Sequence, residues 1–117
     1  LECRINAEDP HREFLPQPGR LSRWRPPAGV AIRLDTHCRE GAMIPPYYDS
    51  LMAKLITTGG TREEAIKRMN AALSDLEIEG LATNRGLHSF ITAHPDFINN
   101  QFHTKWLEQT GLPAFLA

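Results

Sequence analysis

From Leu1 to Glu8 the chain alternates without a break: Leu1, Cys3, Ile5 and Ala7 are apolar, while Glu2, Arg4, Asn6 and Glu8 between them are polar or charged. Successive side chains of a β-strand point to opposite faces, so this period of two predicts a half-buried strand. A strand that buries one face needs partners to complete a sheet and an apolar layer to cover it. The other face, rich in charge, is left for solvent or for a ligand. Leu1 falls inside the strand pattern with no leading cap or turn, which leads us to expect a piece of a longer protein.

Beyond the strand, Pro10, Pro16, Pro18 and Gly19 forbid continued ladder pairing and predict an irregular loop around Phe14 and Leu15. Leu21 to Arg25 and Val30 to Leu34 read as two short strands of a hairpin joined through Pro26, Pro27, Ala28 and Gly29, with Leu21, Val30, Ile32 and Leu34 turned inward. A third apolar run from Leu51 to Thr58, a strand or, over Leu51 to Ile56, the start of a helix, follows Pro45-Pro46 and ends at Gly59-Gly60, a natural chain reversal. Thr61 and Glu64 have the spacing of a capping box, followed by Ala65, Ile66, Met69, Ala72, Leu73 and Leu76 at helical intervals. A second helix is expected from Thr83, with Leu87, Phe90 and Ile91 inward until Pro95 stops it, and a short terminal helix from Thr104 to Gln109. Strands followed by helices predict a single α+β domain over residues 1–117, a small antiparallel β-sheet with helices packed on one side.

Composition narrows the partners. With 41% hydrophobic residues, 23% charged and a formal net charge of -1, the chain has an ordinary globular balance and lacks the surplus of Lys and Arg that nucleic acid or an anionic membrane would require. No apolar run nears the ~20 residues that span a bilayer, and a signal peptide is not evident, so we expect a soluble intracellular protein. Cys3 and Cys38 are too few for a disulfide framework and read as reduced thiols. His11, His37, His88, His94 and His103 never pair at i,i+4 on one expected helix, so no metal site is expected. Gly59-Gly60-Thr61 lacks phosphate-loop spacing and reads as a turn with a cap.

Two segments stand out chemically. Arg4 sits mid-strand on the polar face between Glu2 and Asn6, where a guanidinium can be held by a carboxylate or can point at an anion; spacing alone favours the ion pair. Pro45-Pro46-Tyr47-Tyr48-Asp49-Ser50 is a polar and aromatic knot before an apolar strand, which reads as a rigid turn with Asp49 capping backbone amides.

These segments carry a resemblance. Glu2-Cys3-Arg4-Ile5-Asn6-Ala7-Glu8-Asp9-Pro10, Phe14-Leu15-Pro16, Pro18-Gly19, Pro45 to Ser50 and Lys54-Leu55-Ile56, in this order and spacing, resemble the C-terminal domain of biotin carboxylase, as found in acetyl-CoA, propionyl-CoA, methylcrotonyl-CoA and pyruvate carboxylases. The resemblance implies the closing domain of an ATP-grasp enzyme whose other domains bind Mg-ATP and bicarbonate and carboxylate biotin on a carrier protein. It implies that Arg4 is catalytic and holds the biotin ureido oxygen, with Glu2, Asn6 and Asp49 structural. Arg33 matches a position used at the homodimer contact of the bacterial family, and Val30 stands where that family has a phenylalanine. Implied partners are the upstream ATP-grasp domains, a biotin carboxyl carrier protein, a carboxyltransferase and a second copy in a homodimer. The implied location is cytoplasmic, or the mitochondrial matrix in a eukaryote. The alternative is a structural and dimerisation module with no direct part in catalysis.

Overall fold

A computed structural model describes residues 1–45 and 49–117 of the chain. Its strands are β1 (Glu2–Asn6), β2 (Glu8–Asp9), β3 (Leu15–Pro16), β4 (Gly19–Arg20), β5 (Arg23–Arg25), β6 (Ile32–Thr36), β7 (Met43–Ile44), β8 (Leu51–Thr57) and β9 (Glu77–Glu79). The helices are α1 (Arg62–Asp75), α2 (Arg85–Ala93), α3 (Pro95–Ile98) and α4 (Leu112–Leu116), the last entered through a π-helical turn over Leu107–Gly111.

The apolar run at Leu51 forms the central strand of an antiparallel sheet in the order β1-β8-β6. Its inner face is built from cross-strand rows: Cys3 faces Leu55, which faces Leu34, and Ile5 faces Ala53, which faces Thr36. The pleat sends alternate residues to the other side, so the alternation of β1 becomes one buried and one open face, as expected. Between Ile5 and Asn6 the register slips by one residue, Asn6 lying opposite Leu51, which places a bulge beside Met52 in β8.

Helix α1 packs on this sheet through Met69, Ala72 and Leu73, joining Cys3, Ile5, Ala53 and Leu55 in one core. Its start obeys the local code. The Thr61 hydroxyl accepts from the Glu64 amide at 3.2 Å, and the Glu64 carboxylate reaches back to the Gly60 amide at 2.9 Å. The α+β architecture with helices over a small antiparallel sheet is therefore as the residue pattern predicted.

The expected hairpin from Leu21 to Leu34 does not form. Strand β5 pairs with β9, Trp24 facing Ile78, while β6 pairs with β8, Leu34 facing Leu55. Pro26 and Pro27 cannot donate to a ladder, and Gly29 and Ala31 take positive φ of 154° and 65°, which swings the second segment away from the first. Each strand instead buries its apolar residues against a partner distant in sequence. Val30, expected to face inward, is 94% exposed.

The second helix begins at Arg85 with Asn84 at its N-cap position, and Thr83 accepts from the Arg85 amide through its hydroxyl. Pro95 ends α2 and starts α3, where the His94 ring accepts from the Asp96 amide. The terminal helix begins near Trp106 and runs on to Leu116, beyond the expected Gln109. Its buried Trp106 indole donates to Asp96 at 2.9 Å, and Phe115 meets Phe90 edge-on at 5.6 Å. Cys3 and Cys38 are both buried free thiols; burial pushes the Cys3 thiol up to about 11 and raises that of Cys38.

Candidate functional site

The open face of the sheet collects the polar half of β1. Across it Arg4 faces Lys54, which faces Asp35, and Glu2 faces Ile56, which faces Arg33. Within β6 the Arg33 guanidinium donates to both oxygens of Asp35 at 3.0 Å, a bidentate pair that raises its pKa and uses up the Asp35 carboxylate. Among the described residues Arg4, Lys54 and Glu2 make no side-chain hydrogen bond or ion pair. The ion pair that spacing favoured for Arg4 is thus absent among them. Arg4 and Lys54 stand as cross-strand neighbours of like charge, an arrangement that costs stability by repulsion.

The backbone beneath the Arg4 side chain is tied down. The amino group and carbonyl of Leu1 pair with Thr57, so by the alternation of an antiparallel ladder Arg4 turns its N–H and C=O away from β8 to the outer edge of the sheet. There the Arg4 carbonyl accepts from Asn84 Nδ2 at 3.1 Å and from His88 Nε2 at 2.8 Å. The Asn6 amide donates to Asn84 Oδ1 at 2.9 Å, and the Asn84 amide donates to the Asn6 carbonyl at 3.2 Å. Asn84 is 8% exposed, and burial holds the His88 pKa below its ordinary value against the opposing pull of the Arg4 carbonyl. A carbonyl oxygen only accepts, so Nε2 of His88 carries the proton.

Residue reasoning missed Asn84 and His88. Asn84 fell just inside the helix expected from Thr83, His88 was one of five scattered histidines, and each lies 80 or more positions from Arg4. No local pattern announces such a contact.

The remaining expected positions fall as follows. Asn6 is half-buried, and its Oδ1 lies buried without a hydrogen-bond partner among the described residues. Asp49 Oδ1 accepts from the Leu51 amide at 3.0 Å, and the Ser50 hydroxyl donates to Glu8. Pro46, Tyr47 and Tyr48 of the expected turn lie outside the described residues. Val30 and Arg33 sit at the exposed entry to β6 and on its open face, well apart from Arg4, which is two strands away. Among the described residues no three His, Cys, Asp or Glu side chains cluster as metal ligands, and no helix is long and apolar enough to cross a membrane.

Comparison with known proteins gives the family. Residues 2–109 match the family described as "Biotin carboxylase C-terminal domain". The chain belongs to that family. Biotin carboxylase 1 of Bacillus subtilis is 48% identical over 108 residues, covering 92% of this chain and 24% of that protein. The biotin-dependent acyl-coenzyme A carboxylase alpha3 subunit of Mycobacterium leprae is 46% identical over 112 residues, 92% of this chain and 19% of the other. In structure the chain is similar to the biotin carboxylase domain dimer of Hydrogenobacter thermophilus 2-oxoglutarate carboxylase, solved with MgADP, ADP and bicarbonate: TM-score 0.94, 41% identity, 99% of this chain and 25% of that one. This biotin carboxylase C-terminal domain therefore spans about a quarter of the length of the curated relatives it matches.

Proposed function

We propose that this domain closes the active site of an ATP- and bicarbonate-dependent biotin carboxylase and contributes Arg4 to it, as the group that holds the ureido oxygen of carrier-borne biotin. The observation that carries the reading is an exposed guanidinium, without a carboxylate partner among the described residues, on a strand whose backbone is tied on both edges. Loss of the ureido proton moves negative charge onto the ureido oxygen. A fixed cation aimed there stabilises charge as it develops, which on the scale of other preorganised donors amounts to ~3 kcal/mol, or about a hundredfold in rate.

The family's other requirements distribute around this residue. Mg-ATP and bicarbonate belong to ATP-grasp segments outside this chain, in keeping with a domain that spans a quarter of its relatives. Relatives named for an acyl-CoA and for 2-oxoglutarate resemble the chain almost equally; this supports leaving the choice of carboxyl acceptor to a separate carboxyltransferase. The working partners are then the ATP-grasp domains, a biotin carboxyl carrier and that carboxyltransferase, and the location is cytoplasmic, or the mitochondrial matrix in a eukaryote. In the full-length enzyme, Arg4→Ala should lower biotin carboxylation about a hundredfold while ATP affinity holds. An unchanged carboxylation rate would remove Arg4 from the site.

A second role is favoured by the 94% exposure of Val30 beside the exposed Arg33–Asp35 pair: this edge of the domain meets a second copy of the enzyme. The two roles use opposite edge strands of the same open sheet face, β1 and β6, and are compatible.

A further inference from the structure

We infer that His88 and Asn84 are positioning residues for Arg4: from the N-cap and first turn of α2 they clamp the Arg4 carbonyl at the outer edge of β1 and thereby fix where the guanidinium starts. The inference rests on the reading of Arg4 as the biotin-facing group.

An edge strand ordinarily leaves its outward carbonyls to water. Here two side-chain donors four residues apart, one at the N-cap of α2 and one in its first turn, converge on a single carbonyl oxygen, at 3.1 Å and 2.8 Å, and so occupy both of its lone pairs. The same Asn84 amide closes on the next outward position by accepting from Asn6 N, and its own backbone N–H donates to Asn6 O. Asn84 thus forgoes the usual duty of its position, since its side chain makes no capping bond to its own helix. β1 is held by β8 on one side and by α2 on the other, with Arg4 at the point where both grips meet.

The long Arg4 side chain amplifies any shift of its backbone, and a displacement of ~1 Å at a reacting group can cost up to a hundredfold in rate. His88 suits this duty in its neutral form: one ring nitrogen donates to the carbonyl, and the burial that disfavours the charged ring avoids a further cation beside Arg4.

The test uses the full-length enzyme. His88→Leu removes the donor and should lower kcat for biotin carboxylation about tenfold with ATP affinity unchanged. His88→Gln, whose side-chain amide can still donate to the carbonyl, should recover most of the rate. In an Arg4→Ala background His88→Leu should add nothing further, because the group it positions is gone. If Arg4→Ala is impaired but His88→Leu is not, or if the two losses multiply, the clamp is refuted and the role of Arg4 stands. If Arg4→Ala itself is silent, the reading of Arg4 fails first. Should His88→Leu lose ATP affinity, His88→Met is judged by the same criteria; loss of ATP affinity in both variants makes His88 purely structural and overturns the proposal.

Discussion

At the scale of single residues, the site is defined by what is left unpaired and what is pinned. Arg33 and Asp35 satisfy each other, whereas Arg4 and Lys54 find no carboxylate among the described residues although they stand side by side. His88 adds a pH dependence whose sign follows from burial. In the unfolded chain its imidazole takes up a proton near 6.5, but in the fold only at a lower pH, because burial disfavours the charged ring more than the Arg4 carbonyl favours it. Between the two values the unfolded state binds more protons, so this contribution to stability is complete above 6.5 and is lost as pH falls below it, levelling once the folded ring protonates. Thermal melts of the chain from pH 7.5 down to pH 5 should therefore show a decline beginning near 6.5 that is shallower in His88→Gln. Identical slopes in the two proteins would contradict a depressed His88. Arg4 was visible in the sequence as a cation on a polar strand face, but its freedom from Glu2 was not, since spacing puts the two within reach and cannot say whether they meet.

Among the secondary elements, local chemistry wrote the helix starts and tertiary contact wrote the strand pairings. The Thr61–Glu64 cap is closed within four residues, and its two hydrogen bonds need nothing from the rest of the molecule. The short ribbon of β5 with β9 is the opposite case. It is finished by Gly80, whose φ of 113° belongs to glycine and whose missing side chain makes room for a neighbour: a Cβ there would lie 2.1 Å from the Arg20 carbonyl oxygen and 2.9 Å from the Ser22 amide. Both neighbours are backbone and cannot step aside. Gly80→Ala should destabilise the chain by about 2 kcal/mol or more, combining backbone strain with overpacking, as read from the urea midpoint. A loss under about half a kcal/mol would mean that the crossing is loose. By the same geometry Gly111 lies against the Trp106 ring, 2.5 Å from a would-be Cβ, and the π turn delivers it there.

On the scale of the whole molecule, Arg4 and Arg33 share the open face of the sheet but stand on its opposite edge strands, β1 and β6, with β8 between them. In the proposed reading, the biotin-facing group and the subunit contact therefore stand two strands apart. In sedimentation of the full-length enzyme, Arg33→Glu breaks the bidentate pair and sets two carboxylates together on the exposed strand. The variant should shift from dimer to monomer while retaining much of its carboxylation rate. A dimer unchanged in mass would take Arg33 out of the interface.

What the sequence determined by itself was whatever physics makes local. The period of two in β1 settled which of its residues would be buried, the spacing of Thr61 and Glu64 settled where α1 begins, and the long string around Arg4 carried the family. What only the tertiary structure decided was which distant segments meet: β8 slipping between β1 and β6, β5 leaving its neighbour for β9, and Asn84 and His88 arriving from some 80 residues away to hold the Arg4 carbonyl. A strand's pattern states that one face must be covered but is nearly indifferent to what covers it. The choice is made by the summed burial of the whole core, Leu34 against Leu55 and Trp24 against Ile78, and no window of sequence contains that sum.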